Sequence, residues 1–193
     1  MSDRLGIGSI VAAYLAAHSA EAARLAPLTD FLANASPADY ASRGCVAGHA
    51  TASAFVLSPD RTRLLVIFHL KLQRHLQPGG HIENDATLAA SAAREVHEET
   101  GLARERLRLL SPEPIDIDPH RIPAHPGKGE PEHWHFDIRY LFVAADEALR
   151  ADESEVAGAS WQPLDSPVVA GFLPPQVIER IRAAAIPVRT DCA

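Results

Sequence analysis

The chain has 193 residues, 47% of them hydrophobic and 22% charged, with a formal net charge of −7. That length suits one well-cored domain with additions and is short for two, and the negative balance argues against gripping a nucleic acid polymer through its backbone. Two cysteines, Cys45 and Cys192, without C-x-x-C spacing argue against a disulfide scaffold and fit a reducing cytoplasm.

Along the chain, "IGSIVAAYLAA" carries Ile7, Ile10, Val11, Tyr14 and Leu15 at i, i+3, i+4, i+7 and i+8. This is the stripe of an amphipathic helix and not a signal-peptide core. No apolar run approaches the roughly 18 residues of a membrane span, so no membrane partner is expected and the cytoplasm is the working location. The alanine-rich opening predicts a helical extension over residues 1–45, leaving 46–193 as the main globular unit. "ASPADYASRGCVAGH" interrupts it with Pro37 and two glycines. "TASAFVLS" and "RLLVIFHL", joined by a "PDRT" turn, predict a hairpin. "QPGGH" reads as a tight turn, followed by a helix over 86–100. "RLRLLSPEPIDID" predicts a strand, "PHRIPAHPGKGEPE" a loop, "HWHFDIRYLFVA" a long strand and "GASWQPLD" a shorter one. "PPQVIERIRAAA" closes as a helix with Pro175 in its first turn. One long helix inserted among hairpin signals predicts a mixed sheet packed between helices, an α/β (α+β) architecture and not regular βαβ alternation.

The central helix is unusual in its charge. "AAREVHEETGL" places Glu95, Glu98 and Glu99 within an arc of roughly 100°. Like-charge pairs at i,i+3 and i,i+4 each destabilise a helix by a few tenths of a kcal/mol, and the C-terminal dipole adds to the penalty. A hard divalent cation, Mg²⁺ first and Mn²⁺ second, would reverse both effects through oxygen ligands. Spacing by itself leaves a solvated acidic face equally open. Ala89, Ala93, Val96 and Thr100 form the adjoining arc, small enough to lie close on a sheet, and Gly101 suits a left-handed stop.

The stretch "GGHIENDATLAASAAREVHEETGL" resembles the Nudix hydrolase signature, G-x5-E-x7-R-E-U-x-E-E-x-G-U with U aliphatic. Gly80, Arg94, Glu95, Val96, Glu98, Glu99, Gly101 and Leu102 all fall in register. One position departs: Ala86 stands where the signature has its first glutamate, with Glu83 and Asp85 nearby to substitute. The phrases "GHATASAF", "QPGGH" and "HWHFDIRYLF" also look like a bacterial subgroup with an N-terminal helical extension, a likeness that carries no substrate with it. The resemblance implies a Nudix-like α/β/α sandwich with a signature loop-helix-loop, and Mg²⁺ held by Glu95, Glu98, Glu99 and the Gly79 carbonyl. It further implies that Arg94 orients a neighbouring glutamate and that water attacks a phosphorus of a small diphosphate-containing metabolite. The base is the glutamate matching Glu95 in some members and one from a later loop in others, for which Glu155 or Glu153 is the candidate. A homodimer is left open, as is a degenerate copy retained as a binding module.

The histidine-bearing strand is the second informative stretch. Alternation puts His133, His135, Asp137 and Arg139 on one face, and Trp134, Phe136, Ile138 and Tyr140 on the core face. The polar face admits three readings. It is a half-exposed sheet face with local hydrogen bonds, a substrate-contacting surface on which His81 joins and Arg139 meets a phosphate, or a Zn²⁺ site of His133 and His135 with Asp137 and His81 or His120. His69, Lys71, Arg74 and His75 read as ordinary surface groups, and Cys45 as structural.

Overall fold

The computed structural model describes residues 3–150 and 156–186. Glu153 and Glu155, the later-loop candidates, lie outside the described residues. The extension supplies α1 (Ile7–Ala17) and α2 (Ala26–Asn34). The sheet is built from β1 (Gly48–Leu57), β2 (Arg63–His69), β3 (Arg74–Leu76), β4 (Gly79–His81), β5 (Leu107–Leu109), β6 (Asp116–Ile122), β7 (His133–Ala144) and β8 (Val156–Pro163). The glutamate helix is α3 (Leu88–Thr100), and α4 (Pro167–Ala170) and α5 (Pro175–Ala185) close the described chain. None of the described helices is long and apolar enough to cross a membrane.

The sheet is mixed, as one long helix among hairpin signals predicts. β1 is buried at every position and runs parallel to β7 from Gly48↔Trp134 to Leu57↔Val143. Burial on both faces explains its nearly unbroken run of small and apolar residues. The predicted hairpin is only partly formed. β1 and β2 meet at the single register Leu57↔Leu64, after which β2 departs to pair with β8. The vacated edge of β1 is taken by β4, through Thr51↔His81, Ala52↔Gly80 and Ser53↔Gly79. "QPGGH" is therefore a short strand and not merely a turn. The predicted strand at 106–118 is two strands, β5 and β6, both paired antiparallel with β7 and broken apart at Pro112 and Pro114, where prolines cannot donate to a ladder. β6 in turn extends through Ile122, into what the sequence presents as loop.

Alternation along β1 and β7 sorts the residues onto two faces. Ala50, Ala52, Ala54, Phe136, Ile138 and Tyr140 share one core with Leu88, Ala92 and Val96 of α3 and with Ile7, Val11, Leu25 and Leu28 of the extension. Phe55, Leu57, Leu141 and Val143 share the other with Val169, Val177, Ile178 and Ile181 of α4 and α5. Helices cover both faces, giving an α/β/α sandwich. The extension is part of the first core: Phe31 lies 4.9 Å, centroid to centroid, from Phe136, and Leu28 is 1% exposed. Leu28→Ala is expected to destabilise the whole chain by about 2–5 kcal/mol. A lowered urea midpoint with one cooperative transition would show it, whereas a separately melting extension would leave the main transition in place.

Candidate active site

The acidic site is assembled where α3 meets β4. Thr87 caps the helix by accepting from the Ala90 amide at 3.1 Å, and Gly101, at φ 71°, ends it with its N–H on the His97 carbonyl. Ala92, Ala93 and Val96 seat α3 on the sheet, which turns Glu95 and Glu99 toward the two glycines of β4. A Cβ on Gly79 would lie 2.2 Å from Ser53 Cβ, and one on Gly80 would lie 2.7 Å from the Glu95 carboxylate. A side chain at Gly79 would collide with β1, and one at Gly80 would displace the Glu95 carboxylate, so the Gly80 backbone lies directly against that acid. Glu99, buried, accepts a 3.0 Å hydrogen bond from the Gly79 amide. Glu95 is half-buried and Glu98 exposed.

Arg94 organises this group. Its Nη1 donates to Glu95 at 2.9 Å and to Glu98 at 2.7 Å, its Nη2 to the His81 carbonyl at 2.7 Å, and its Nε to Asp85 at 3.0 Å. Burial works against the guanidinium's charge, but Asp85, Glu95 and Glu98 outweigh it and hold the pKa above the usual arginine value. Arg94 thus bonds two of the three glutamates, Glu95 and Glu98. Ala86 is exposed and takes no part, and Asp85, one residue earlier, reaches Arg94 instead. Glu83 offers only its backbone carbonyl, which accepts from Arg4 of the extension at 2.9 Å.

The other face of β7 is not an open polar surface along its length. Arg139 donates through Nε to Asp137 at 2.9 Å, through Nη1 to Asp116 at 3.0 Å and through Nη2 to Asp118 at 2.7 Å. Asp137 also accepts from Thr51, Ser53 and Gln77. Arg24 and Arg180 approach Asp116 from the extension and from α5, and both pair with Glu21. Asp137 and Arg139 are 5% and 9% exposed, and their polar atoms are engaged with one another and with Asp116, Asp118, Thr51, Ser53 and Gln77. Removing one partner from such a cluster costs about 3–5 kcal/mol, because the remaining charges are left buried and uncompensated. Arg139→Leu should therefore lower the unfolding free energy by about that amount, read as a lower urea midpoint at unchanged slope.

The histidines at the other end of this face do come together. His133, His135 and His81 are joined by His120 and by His49, which the sequence reading passed over because Gly44 and Gly48 mark the segment as a break. β1 in fact begins at Gly48, whose φ of 149° and close approach to the Trp134 carbonyl admit only glycine. His49 then falls opposite His135 in the parallel ladder, and His135 opposite His120 in β6. The His49 ring centroid is 4.7 Å from that of His135, 5.1 Å from His81 and 5.3 Å from His133. Burial, then the neighbouring imidazoles, push the pKa of His49 down to about 4 and of His135 to about 2. At His120 burial opposes the charged ring, but the Asp118 contact outweighs it and raises the pKa. Among the surface groups, Lys71 and Arg74 are exposed, and His75 packs edge-on against Phe68.

The comparisons with known proteins agree with this geometry. Residues 48–182 match the NUDIX domain family model. This chain belongs to the Nudix hydrolase family. The matched residues run from the glycine that opens β1 into α5, and so include the Nudix helix, both glycines of β4 and the histidine strand. A probable DHNTP pyrophosphohydrolase of Lactococcus lactis subsp. cremoris is 35% identical over 107 residues, 55% of this chain and 58% of that protein. A Clostridium perfringens hydrolase of the NUDIX family superposes with a TM-score of 0.51 at 22% identity, over 71% of this chain and 95% of its own. The E. coli dihydroneopterin triphosphate pyrophosphohydrolase gives 0.51 at 17% identity, over 69% and 92%. At these identities the two structures speak to the Nudix fold alone.

The Nudix helix is held by Arg94, and Arg94 is held by Asp85. Asp85→Ala is expected to leave the fold intact and to release Arg94, which would weaken any divalent-ion affinity of the acids about 10–100-fold, the usual effect of removing an outer support. Isothermal titration with Mg²⁺ or Mn²⁺ checks this.

Proposed function

We propose that this Nudix chain is a Mg²⁺-dependent hydrolase that cleaves a phosphoanhydride in a small nucleotide-like metabolite, with Mn²⁺ as an alternative ion. The observation that carries the reading is the packing of Glu95 and Glu99 against the Gly79–Gly80 backbone, with Arg94 bonding Glu95 to Glu98 at the solvent edge of the group. The donor set fits the ion: three carboxylates beside a peptide backbone are the hard oxygen ligands that Mg²⁺ takes. The Gly79 carbonyl is the backbone ligand that the family resemblance implies.

Mg²⁺ at this site would neutralise non-bridging phosphate oxygens and lower the pKa of an attacking water. The protein's own part is positional. Arg94 fixes Glu95 and Glu98 relative to the His81 carbonyl, and Asp85 fixes Arg94. Glu99 locks the helix to β4 through the Gly79 amide. A glutamate takes the water's proton, from Glu95 or from Glu155. No positively charged side chain within this group points outward to greet a phosphate, since Arg94 is spent on carboxylates, so substrate charge is met by the ion.

The relative from Lactococcus makes a pterin triphosphate a sensible first substrate, alongside nucleoside diphosphate and triphosphate compounds. Small phosphorylated molecules are the partners expected, with the cytoplasm the location where they would be met.

Glu98→Gln is expected to reduce metal-dependent turnover on the order of 100- to 1000-fold, the scale of losing one electrostatic stabiliser, while circular dichroism stays unchanged. Full activity in that variant would remove the mechanism. Comparing Glu95→Gln with Glu155→Gln identifies the base: the correct one lowers kcat and abolishes the acid limb of the pH profile. Tight binding of a triphosphate by the wild-type protein in saturating Mg²⁺ or Mn²⁺, with neither phosphate nor pyrophosphate released, would favour a binding module instead.

A further inference from the structure

The acids and the histidines lie on opposite sides of β4. Gly80 faces Glu95, and by strand alternation His81 faces away from it, toward His49 and His135. We propose that His49, His81 and His135 form a second metal site, separate from the glutamates, that takes one Zn²⁺-class transition-metal ion through imidazole nitrogens.

Four observations support it. One nitrogen from each of the three rings lies within 4.8 Å of the other two, although the residues come from three different strands. Zn–N bonds of about 2.0–2.1 Å place the ligands of a tetrahedral ion about 3.3 Å apart, so small ring rotations close the set. His49 is 2% exposed, and neither of its ring nitrogens has a hydrogen-bond partner among the described residues. Leaving a buried polar group unsatisfied is unfavourable, and a shared ion would both satisfy the His49 ring and account for imidazoles packed together.

His133 adds the third observation. Its Nδ1 lies 2.9 Å from the Pro131 carbonyl, a contact that requires the proton on Nδ1 and leaves the lone pair on Nε2. That Nε2 stands 3.3 Å from His135 Nε2, so a further imidazole nitrogen lies beside the three. Fourth, the neighbouring carboxylates do not compete. Asp116, Asp118 and Asp137 are bonded to Arg139, and His120 to Asp118. The donor set is imidazole alone, which suits Zn²⁺ and its late first-row neighbours and repels Mg²⁺. Asp137, a ligand candidate from the sequence, is replaced in this site by His49.

The proposal is independent of the hydrolase reading, and its test reads the metal directly. Untagged protein is stripped with a chelator and titrated with Co²⁺ in excess Mg²⁺, followed by the visible d–d absorption of histidine-bound cobalt. Zn²⁺ content is measured by elemental analysis after gel filtration. One equivalent is expected in the wild type and in Glu98→Gln, with at least a tenfold loss of affinity in His81→Ala and His135→Ala and a rise in wild-type melting temperature on adding Zn²⁺. His49→Asn tests the buried position. Should it fail to fold, the wild-type cobalt spectrum decides the matter without it. Absence of a one-to-one complex in the wild type overturns the site, as does undiminished metal in folded His81→Ala and His135→Ala, or loss of metal in Glu98→Gln.

Discussion

At Gly79 and Gly80 the chain passes between β1 and the Nudix helix, where a side chain at Gly79 would strike Ser53 and one at Gly80 would displace the Glu95 carboxylate. Everything of chemical interest is organised by that passage. On one flank the backbone meets Glu95 and Glu99, so the carboxylates cluster against peptide atoms instead of dispersing into water. On the other, the next residue, His81, is delivered to the histidine cluster. The energetic cost of the crowded charge is offset locally by Arg94, whose guanidinium bonds two of the three glutamates. The departure at Ala86 is absorbed within the same network, because Arg94 needs a carboxylate at its Nε and Asp85 provides one.

The second organising element is the buried ion cluster around Arg139. Its members come from the extension (Glu21, Arg24), β6 (Asp116, Asp118), β7 (Asp137, Arg139) and α5 (Arg180). A set of charges shared among four parts of the chain is satisfied only when all four are in place. Helices that look like an addition in the sequence thus share a core and an ion network with the sheet. Arg4 extends the link to the signature loop, where it binds the Glu83 and Asp85 carbonyls.

The two candidate metal positions differ in chemistry as well as place. Carboxylates and a carbonyl suit a hard ion that stays hydrated and exchanges with substrate. Imidazoles suit a borderline ion held tightly. A single strand can serve both because its side chains alternate: glycine toward the acids, histidine toward the imidazoles.

What could be read without coordinates was local. The 3.6-residue stripe of α1, the arc of Glu95, Glu98 and Glu99, the stop at Gly101 and the alternation of β7 are properties of a helix or strand by itself, so spacing along the chain reveals them. What only the tertiary structure decided was pairing. Which strand fills the edge of β1 beyond Leu57, which carboxylate reaches Arg94, and whether Arg139 faces solvent or three aspartates all depend on segments far apart in the chain. His49 is the sharpest instance. Preceded by glycines that signal a break, it becomes the most buried of the histidines because β7 lies alongside it and sets its register. Periodicity reports the direction in which a side chain points, but a hydrogen-bond ladder across some 85 residues determines what it meets there.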